Sequence, residues 1–487
     1  MPAELLAAAA LLWLAAAVIA LLGVGNILIR ALLVLGGLAA IGAALACLPA
    51  GTAALALPTT LGDGPVLFRL SPDALWLMGF GLVPAVLACA LSTPSAKGGH
   101  GWLFGAAMSL LGALGVFGLQ EGAALLIAWE LMSFGGALMI LSERLSTSGG
   151  RPVLFMLALL EVGAVALLLA VVLLGAPAGD LRFDAFARTA ANMSGGRQAL
   201  IGLLILVGFG AKLGLLPFYE WFPAAYGSGS GASGAILSGV VLNAAFFGLS
   251  RGLVEWLPAS TPAIGIVVVA VATVSAVLAV LYAFQQEDWR TLLSFSSAEN
   301  AAIAVATLGA SIMFRADAQT GLAALAWTVA LLHLAGHSLA KGALFLAADS
   351  VYRAAGNYSI AHTDLLARSA WPFGLGALFA AMSLAAMPPQ AGFVSEWFVF
   401  QTIFQGFHLS TLGGRLTLSI AGAGLALTAA VAFATFVKIF GIGLLGRTSR
   451  PLAAVRPARP SRWRCSACAS SRWPRACPHG CRRWTAR

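Results

Sequence analysis

Three titratable residues recur at four-residue intervals in the apolar stretch LLHLAGHSLAKGALFL, residues 331–346. A helix places His333, His337 and Lys341 on one slowly drifting stripe, with a rise of about 12 Å from first to last. Histidine and lysine both exchange protons, so such a stripe favours a path for protons or other ions. The alternative is a set of structural hydrogen-bond donors. The two histidines could also share a metal ion, but no third ligand lies nearby in the sequence, and we predict no metal site.

Other ionisable residues interrupt further apolar stretches. They are Glu130 in LIAWELMSF, Glu161 in LALLEVGAV, Lys212 in LVGFGAKLGL and Glu396 in GFVSEWFVFQ. A charge near the bilayer centre costs about 2.5–3.5 kcal/mol, so such residues usually face a protein interior or a wet cavity on an ion pathway. We predict that role for Glu130, Lys212 and Glu396. Glu161 and Lys438 fit equally well as anchors whose charged ends reach the membrane surface. The additional candidates for the same path are Glu161, Lys438 and Glu299.

The chain around these residues is 487 residues long, 60% hydrophobic and 9% charged, with a mean hydropathy of +0.93. Soluble domains are far more polar, so the sequence predicts a polytopic membrane protein. A membrane-spanning helix needs about 20 mainly apolar residues, and such stretches recur with short polar breaks. We count about thirteen, numbered as spans one to thirteen: 5–23, 27–48, 74–92, 102–119, 122–142, 153–175, 199–218, 233–254, 262–284, 298–314, 322–348, 371–404 and 417–445.

Two spans contain backbone breaks beside their ionisable residues. In span seven Pro217 follows Lys212, and in span twelve the stretch MPPQAG precedes Glu396. Unwound backbone at membrane depth is tolerated where it lines protein or a water-filled cavity, as in the discontinuous helices of transporters. The similarity of PFYEWF to GFVSEWF suggests two related halves. We expect N-terminal transmembrane helices at residues 1–95, a first repeat at 96–258, a second repeat at 259–446 and a tail at 447–487.

The formal charge of +10 comes from the tail. Residues 447–487 hold eleven Arg and no acidic residue, which leaves 17 basic and 18 acidic residues in the rest of the chain. The tail has no apolar period, and we predict that it is disordered or translated out of frame. Its four cysteines loosely follow a zinc-site spacing, but we assign no metal there. We expect no nucleic-acid partner.

Four stretches together resemble the antiporter-like proton-translocating subunits of respiratory complex I, multi-subunit cation/proton antiporters and membrane-bound hydrogenases. They are AWELMSF, GFGAKLGLLPFYEWFPAAYGSGSGASGAILSGVV, HLAGHSLAKGALFLAADSV and PPQAGFVSEW. Within that superfamily, SSAEN and GFVSEWFVFQ look most like the large membrane subunit of hydrogenase-4 and formate hydrogenlyase. The resemblance implies an all-α polytopic membrane protein of about thirteen transmembrane helices, with two inverted five-helix repeats whose seventh and twelfth helices are broken.

The resemblance also implies roles for single residues. Glu130 would pair with Lys212, and Glu396 would face the exit side. The central polar axis would consist of His333, His337 and Lys341.

The sequence departs from the family pattern in the first repeat. Asn243 stands where family members often carry a lysine, Tyr219 and Tyr226 stand where histidines are frequent, and Ala224 replaces an aspartate. These replacements weaken the case for a complete half-channel in that repeat. The family continues past span thirteen with further membrane helices, so we expect this copy to be truncated.

The spans contain no cysteine cluster, nucleotide fingerprint or haem-attachment motif, so we expect the chain to bind no cofactor and to carry no electrons. The resemblance implies an ion-translocating, non-redox subunit of a membrane-bound hydrogenase or formate hydrogenlyase in the bacterial cytoplasmic (inner) membrane. Its partners would be other membrane subunits, a peripheral redox arm and the lipid bilayer. A subunit of NADH:quinone oxidoreductase and a subunit of a multi-subunit cation/proton antiporter remain as alternatives.

Basic residues in short loops predict the orientation of the chain. Seven Arg follow even-numbered spans, and nine basic residues follow odd-numbered ones: Arg30, Lys97, Arg144, Arg151, Arg290, Arg353, Arg368, Arg447 and Arg450. We therefore predict an N-terminus outside and the end at residue 447 in the cytoplasm. A reporter fused at Ser449 should give a cytoplasmic signal, and a periplasmic signal would contradict this orientation.

Overall fold

The computed structural model describes residues 2–47, 52–61, 64–92, 99–146, 148–258, 262–361 and 364–446. Within these ranges, twelve helices are long and apolar enough to cross a membrane. Two shorter helices in series supply a thirteenth span. The predicted polytopic helical architecture is therefore confirmed. The tail at 447–487, with its cysteines, lies outside the described residues.

The first six spans are single helices close to their predicted positions. Their bounds are α1 Pro2–Leu21, α2 Asn26–Cys47, α3 Pro72–Leu91, α4 Gly99–Gly118, α5 Gly122–Glu143 and α6 Arg151–Ala178. A short helix, α7 (Phe183–Ala191), follows α6 and buries Phe183 and Phe186 while its charged residues stay exposed. It lies between two spans and is too short to cross the membrane.

Span seven consists of α8 (Gly195–Leu213) and the short α9 (Trp221–Tyr226). Span eight begins as α10 (Gly231–Ile236), passes through a π-helical turn at Leu237–Val241 and continues as α11 (Leu242–Val254). The later helices are α12 Pro262–Gln285, α13 Trp289–Ala316, α14 Thr320–Ala355, α15 Trp371–Leu384, α16 Ala391–Phe404 and α17 Leu412–Val437. A π-helical segment, Lys438–Leu444, extends α17. Spans eight and ten are buried almost throughout, so they form the centre of the bundle.

A two-stranded antiparallel hairpin, which the sequence analysis did not predict, lies between α2 and α3. Strand β1 (Ala53–Leu61) pairs with β2 (Gly64–Leu70). Near the end of β2 the side chains alternate, with Arg69 exposed and Leu70 buried. This period of two is typical of a half-buried strand, and pairing of the strands satisfies their backbone groups without a helix. The hairpin adds a surface element to an otherwise helical fold.

The break in span seven follows from two residues that cannot continue a helix. Gly214 ends α8 in the left-handed conformation, with φ at +72°. Pro217 lacks a backbone N–H, so it cannot donate the next helical hydrogen bond. The chain forms α9 and then enters α10, whose first turn is capped by the hydroxyl of Ser230 accepting from Ser233 N. The predicted break is confirmed.

The break in span twelve is built around Pro388 and Pro389. Helix α15 ends before them and α16 begins after Gln390. The two half-helices are joined by a hydrogen bond from Gly392 N to Ser383 Oγ, 3.1 Å long. A side chain at Gly392 would overlap the carbonyl oxygen of Ser383. The second predicted break is also confirmed, and it depends on close backbone contact at Gly392.

We expect Gly392→Ala to destabilise the protein, because the added methyl group forces the two half-helices apart. Overpacking of this kind costs about 1–3 kcal/mol. Thermal unfolding of the purified protein should show a lower Tm. Gly376→Ala in α15 is the control, since a methyl group there meets nothing within 4 Å. Equal Tm values for the two variants would contradict the packing argument.

Candidate functional site

The ladder predicted from the sequence lies on α14, an unbroken helix of 36 residues. Its members are buried: His333 and His337 are 2% exposed and Lys341 is fully inaccessible. The Lys341 ammonium donates to the carbonyl oxygen of Leu293 on α13 at 3.1 Å and lies 5.3 Å from the ring centre of Phe436. The stripe therefore faces the interior of the bundle.

The other end of the ladder reaches the broken span twelve. His333 Nδ1 lies 3.1 Å from Ser395 Oγ on α16, and the histidine tautomer decides which atom donates. Ser395 directly precedes Glu396 and is itself fully buried. The structure thus brings the ladder into contact with α16 at the residue that precedes the predicted exit residue.

Glu299 on α13 links the ladder to the same exit. It is 2% exposed, and its Oε2 accepts a hydrogen bond from Ser296 Oγ at 2.9 Å. Its carboxylate acts electrostatically on the ammonium of Lys341 and on the carboxyl group of Glu396. From the sequence, Glu299 was only an additional candidate. The fold places it in one charged cluster with Lys341 and Glu396.

The first half of the chain buries a second lysine, Lys212, in the last turn of α8. Its ammonium donates to Ser133 Oγ at 2.6 Å and to the carbonyl oxygen of Trp129 at 3.2 Å, both on α5. It also lies 3.8 Å from the ring centre of Trp129. A lysine at a helix C-terminus is favourable for the helix dipole, and the aromatic face stabilises its charge further.

Glu130 does not contact Lys212 directly, although the family resemblance implies that pair. Among the described residues no direct ion pair joins them, because the ammonium is held by Trp129 and Ser133 instead. Glu130 and Glu161 approach each other, and both carboxyl groups act electrostatically on Lys212. Glu130 is half-buried and Glu161 is exposed on α6. The structure therefore groups these three ionisable residues without a closed salt bridge.

Several buried polar atoms along the ladder lack a hydrogen-bond partner within the described part of the chain. They are His333 Nε2, both ring nitrogens of His337, Ser238 Oγ and Asn243 Oδ1. The backbone of Ser238, in the π-helical turn of span eight, interacts with His337. Buried polar atoms are nearly always satisfied by protein or by ordered water. These atoms are therefore the positions between spans eight and eleven at which ordered water would find polar partners.

Asn243, which stands where the family often has a lysine, joins three spans. Its Nδ2 donates to the carbonyl oxygen of Leu77 on α3 at 2.8 Å and to Ser338 Oγ on α14 at 3.0 Å. The sequence analysis did not select Ser238, Ser338 or Ser395. Hydroxyl residues beside the titratable positions, as in HSLAK and VSEW, are the signal that could have identified them.

The two tyrosines that replace family histidines do not extend the ladder. The Tyr219 ring stacks on Tyr282, with ring centres 5.6 Å apart. Tyr226 is buried between aromatic rings, with its centre 5.3 Å from that of Phe222 and 5.6 Å from that of Phe345. Both positions pack the break of span seven, which agrees with a first repeat that lacks the complete family pattern.

Lys438 lies apart from these clusters. Its ammonium donates to the carbonyl oxygens of Phe284 at 3.0 Å and Gln286 at 2.6 Å, at the C-terminal end of α12. A cation at this position satisfies carbonyl groups that have no partner within the helix. The contacts favour a capping role over a place on an ion path. In the part of the chain that the structure describes, no three His, Cys, Asp or Glu residues are grouped to hold a metal ion.

Sequence comparison finds related membrane proteins. The family model described as NADH:quinone oxidoreductase/Mrp antiporter, transmembrane, matches residues 121–419. Hydrogenase-4 component B of Escherichia coli (strain K12) is 30% identical over 323 residues, 66% of this chain and 48% of that protein. Formate hydrogenlyase subunit 3 of the same strain is 31% identical over 247 residues, 50% of this chain and 40% of that protein. The chain spans about half the length of the curated relatives it matches.

Structure comparison finds the same helical arrangement in solved membrane complexes. A chain of the Mrp complex from Dietzia sp. DQ12-45-1b superposes with a TM-score of 0.78 at 18% identity, covering 92% of this chain and 81% of that one. A chain of the membrane-bound sulfane sulfur reductase, an archaeal respiratory membrane complex, gives a TM-score of 0.75 at 25% identity, covering 92% and 71%. The first likeness concerns the fold alone.

We expect Lys438→Met to lower the stability of the protein, because it removes two hydrogen bonds to the end of α12. Such a bond contributes about 1 kcal/mol, so Tm should fall slightly. Thermal unfolding of the purified protein measures the change. A Tm equal to that of wild type would contradict the capping role of Lys438.

Proposed function

The chain belongs to the NADH:quinone oxidoreductase/Mrp antiporter transmembrane family, and on this premise we propose that it is the proton-translocating membrane subunit of a complex-I-like hydrogenase or formate hydrogenlyase. One observation supports this most. A buried stripe of titratable residues on α14 contacts the broken span twelve at Ser395 and interacts electrostatically with Glu299, which acts in turn on Glu396. Ionisable groups placed inside a membrane protein usually mark a substrate or ion pathway.

In the proposed mechanism, Lys341 is the proton store of the second half. The carbonyl oxygen of Leu293 and the nearby carboxylate of Glu299 stabilise its ammonium form. When a neighbouring charge changes, the proton leaves through water to His337 and His333, which follow at one-turn intervals along α14. Transfer between such groups needs water or a side chain within hydrogen-bond reach, and the unpartnered ring nitrogens supply the connecting positions.

The proton then passes to span twelve. Ser395 lies within hydrogen-bond distance of His333 and is adjacent in sequence to Glu396. Glu396 interacts electrostatically with Glu299, so a change of charge on one carboxyl group alters the proton affinity of the other. The proton affinity of Glu396, the proposed exit residue, therefore depends on the charge of Glu299.

The first half supplies the driving charge. Lys212 is held by Trp129 and Ser133, and the carboxyl groups of Glu130 and Glu161 act on it electrostatically without direct contact. Removal of a carboxylate charge would make the ammonium less favourable and release its proton. We propose that Lys212, Glu130 and Glu161 together transmit changes of charge from the redox arm to the ladder.

The partners in this proposal are other membrane subunits and a peripheral redox arm, with the chain embedded in the bacterial cytoplasmic membrane. It would carry no electrons itself. The family description names both NADH:quinone oxidoreductase and Mrp antiporters, so a subunit of either is the second candidate. Copurification of the native complex and identification of its subunits would separate them. Copurified nickel–iron hydrogenase subunits would support the proposal. Copurified small antiporter subunits would instead support the second candidate, a subunit of an antiporter.

The test of the ladder is Lys341→Met in the assembled complex. Methionine is flexible and of similar length, so it should fill the same space and preserve assembly. We expect proton uptake per electron in proteoliposomes to fall severalfold, with hydrogen or formate turnover much less affected. Lys438→Met is the matched control, since it removes a lysine that caps a helix outside the cluster.

The competing explanation is that the ladder only joins helices by hydrogen bonds, which contribute about 0.6–2 kcal/mol each in membranes. In that case Lys341→Met should lower subunit yield and turnover in parallel. A ratio of protons to electrons equal to that of wild type would overturn the proposed role of Lys341.

A further inference from the structure

The ladder on α14 continues past Lys341 toward the end of the helix. Counting by four from Lys341 leads to Phe345 and then to Asp349, which has no place in the mechanism above. Asp349 therefore lies about 12 Å along the helix from Lys341, the same rise that separates Lys341 from His333. Asp349 is half-buried and lies near the C-terminal end of α14, where the loop to α15 begins.

Asp349 is held in position by donors from two other segments. Its Oδ1 accepts from Gly231 N at 2.6 Å and from the hydroxyl of Tyr358 at 2.8 Å, and its Oδ2 accepts from Ala232 N at 2.9 Å. Burial and the neighbouring Asp349 carboxylate raise the pKa of Tyr358, so its hydroxyl remains a donor. The carboxylate is therefore fixed in one orientation.

A second carboxylate holds the same end of span eight. Glu143, at the end of α5, accepts from Ser230 N at 2.8 Å and from Ser233 Oγ at 3.0 Å. Arg353 contacts the hydroxyl of Ser350 at 2.8 Å and acts electrostatically on Asp349. The charged and titratable groups around Asp349 are thus Glu143, Tyr358 and Arg353.

One surface pocket reaches this carboxylate, and a second lies at its hydrogen-bond partner Tyr358. A cavity of about 230 Å³ between α3, α14 and α15 is lined by Asp349, Ser350 and Arg353. Tyr358 lines a second cavity of about 510 Å³ together with Asp288 and Arg290. Both lie at the end of the bundle where the chain reaches Gly446, since Asp364 N donates to Gly446 O at 2.7 Å. This is the face that the basic loops predict to be cytoplasmic.

We propose that Asp349 is the site where protons enter the ladder from the cytoplasmic face and pass to Lys341, an inference that rests on the proposed function. The carboxylate takes a proton from water in the pocket and releases it to water leading to the Lys341 amine, which returns Asp349 to its ionised form. Phe345 lies between the two groups, buried against Tyr226. An apolar side chain at this point limits wetting, so it keeps the ladder from leaking protons when no transfer is driven.

The test replaces the carboxylate and then supplies another from solution. Asp349→Asn should lower charge translocation per electron severalfold in proteoliposomes, measured with a voltage-sensitive dye, while leaving turnover much less affected. Acetate is small enough for the 230 Å³ cavity. It should restore part of the charge translocated per electron. Asp184→Asn, the same change at an exposed carboxylate on α7, is the matched control and should behave as wild type with and without acetate.

Lys341→Met, measured in parallel, separates failure of this inference from failure of the proposed function. If Lys341→Met lowers the ratio and Asp349→Asn does not, entry through Asp349 is wrong and the ladder stands. If neither changes the ratio, the proposed function fails as well. A lowered ratio in Asp349→Asn that acetate does not restore would assign Asp349 a positioning role only and overturn the inference.

A measurement on the wild-type chain covers the case in which Asp349→Asn does not assemble. A water-soluble carbodiimide with a small amine, applied from the face that carries the 447 end, should modify Asp349, as mapped by mass spectrometry. The ratio of translocated charge to electrons should fall by the fraction modified. Absence of modification at Asp349, or modification with an unchanged ratio, overturns the proposal.

Discussion

A charge inside hydrocarbon has to be stabilised by the protein itself, and this requirement explains where the cations within the spans lie. Three of them sit at the ends of helices. Arg30 donates to Cys89 O at the end of α3, Arg251 to Leu119 O beyond α4, and Lys438 to Phe284 O at the end of α12. Carbonyl groups there have no partner within the helix, so the cation and the helix end satisfy each other.

Lys212 and Lys341 are held differently. Each contacts a carbonyl oxygen within a helix rather than at its end: Trp129 O in α5 and Leu293 O in α13. Those carbonyls already accept the hydrogen bonds of their own helices, so they hold an ammonium less firmly than a free helix end does. Carboxyl groups act on both lysines from outside direct contact. This distinction separates cations that stabilise the fold from cations suited to exchanging a proton.

Close helix packing keeps these groups in place. Between α4 and α5, a methyl group at Gly112 would lie 2.5 Å from Met132 N, and one at Gly135 would lie 2.5 Å from Ser109 N. Small residues let backbones approach this closely in membrane proteins, where packing drives helix association. The contact fixes α5, which carries Trp129, Glu130 and Ser133. The carboxylates of Glu143 and Asp349 similarly fix the start of span eight, one from each half of the chain.

The sequence by itself determined the membrane class, the thirteen spans, the two breaks and the burial of the ladder. These features depend on local composition and on residues such as Pro217 and Pro388 that act within one helical turn. Lys212 and the α14 stripe, one from each half of the chain, were predictable for the same reason. The hairpin could not be predicted, because the composition of its segment favours neither a helix nor a strand and only the pairing of the two strands satisfies the backbone.

Only the tertiary structure decided which groups meet. Glu299, Ser395 and Asp349 acquire their significance from neighbours that are far away in the chain, and the expected contact of Glu130 with Lys212 is replaced by contacts with Trp129 and Ser133. Helical spacing specifies which side chains share a face, but the partner helix, its rotation and its depth determine distances between charges. A hydrogen bond or a charge interaction changes steeply over a few ångströms, so the sequence could indicate the candidate residues while the packing of the helices set their interactions.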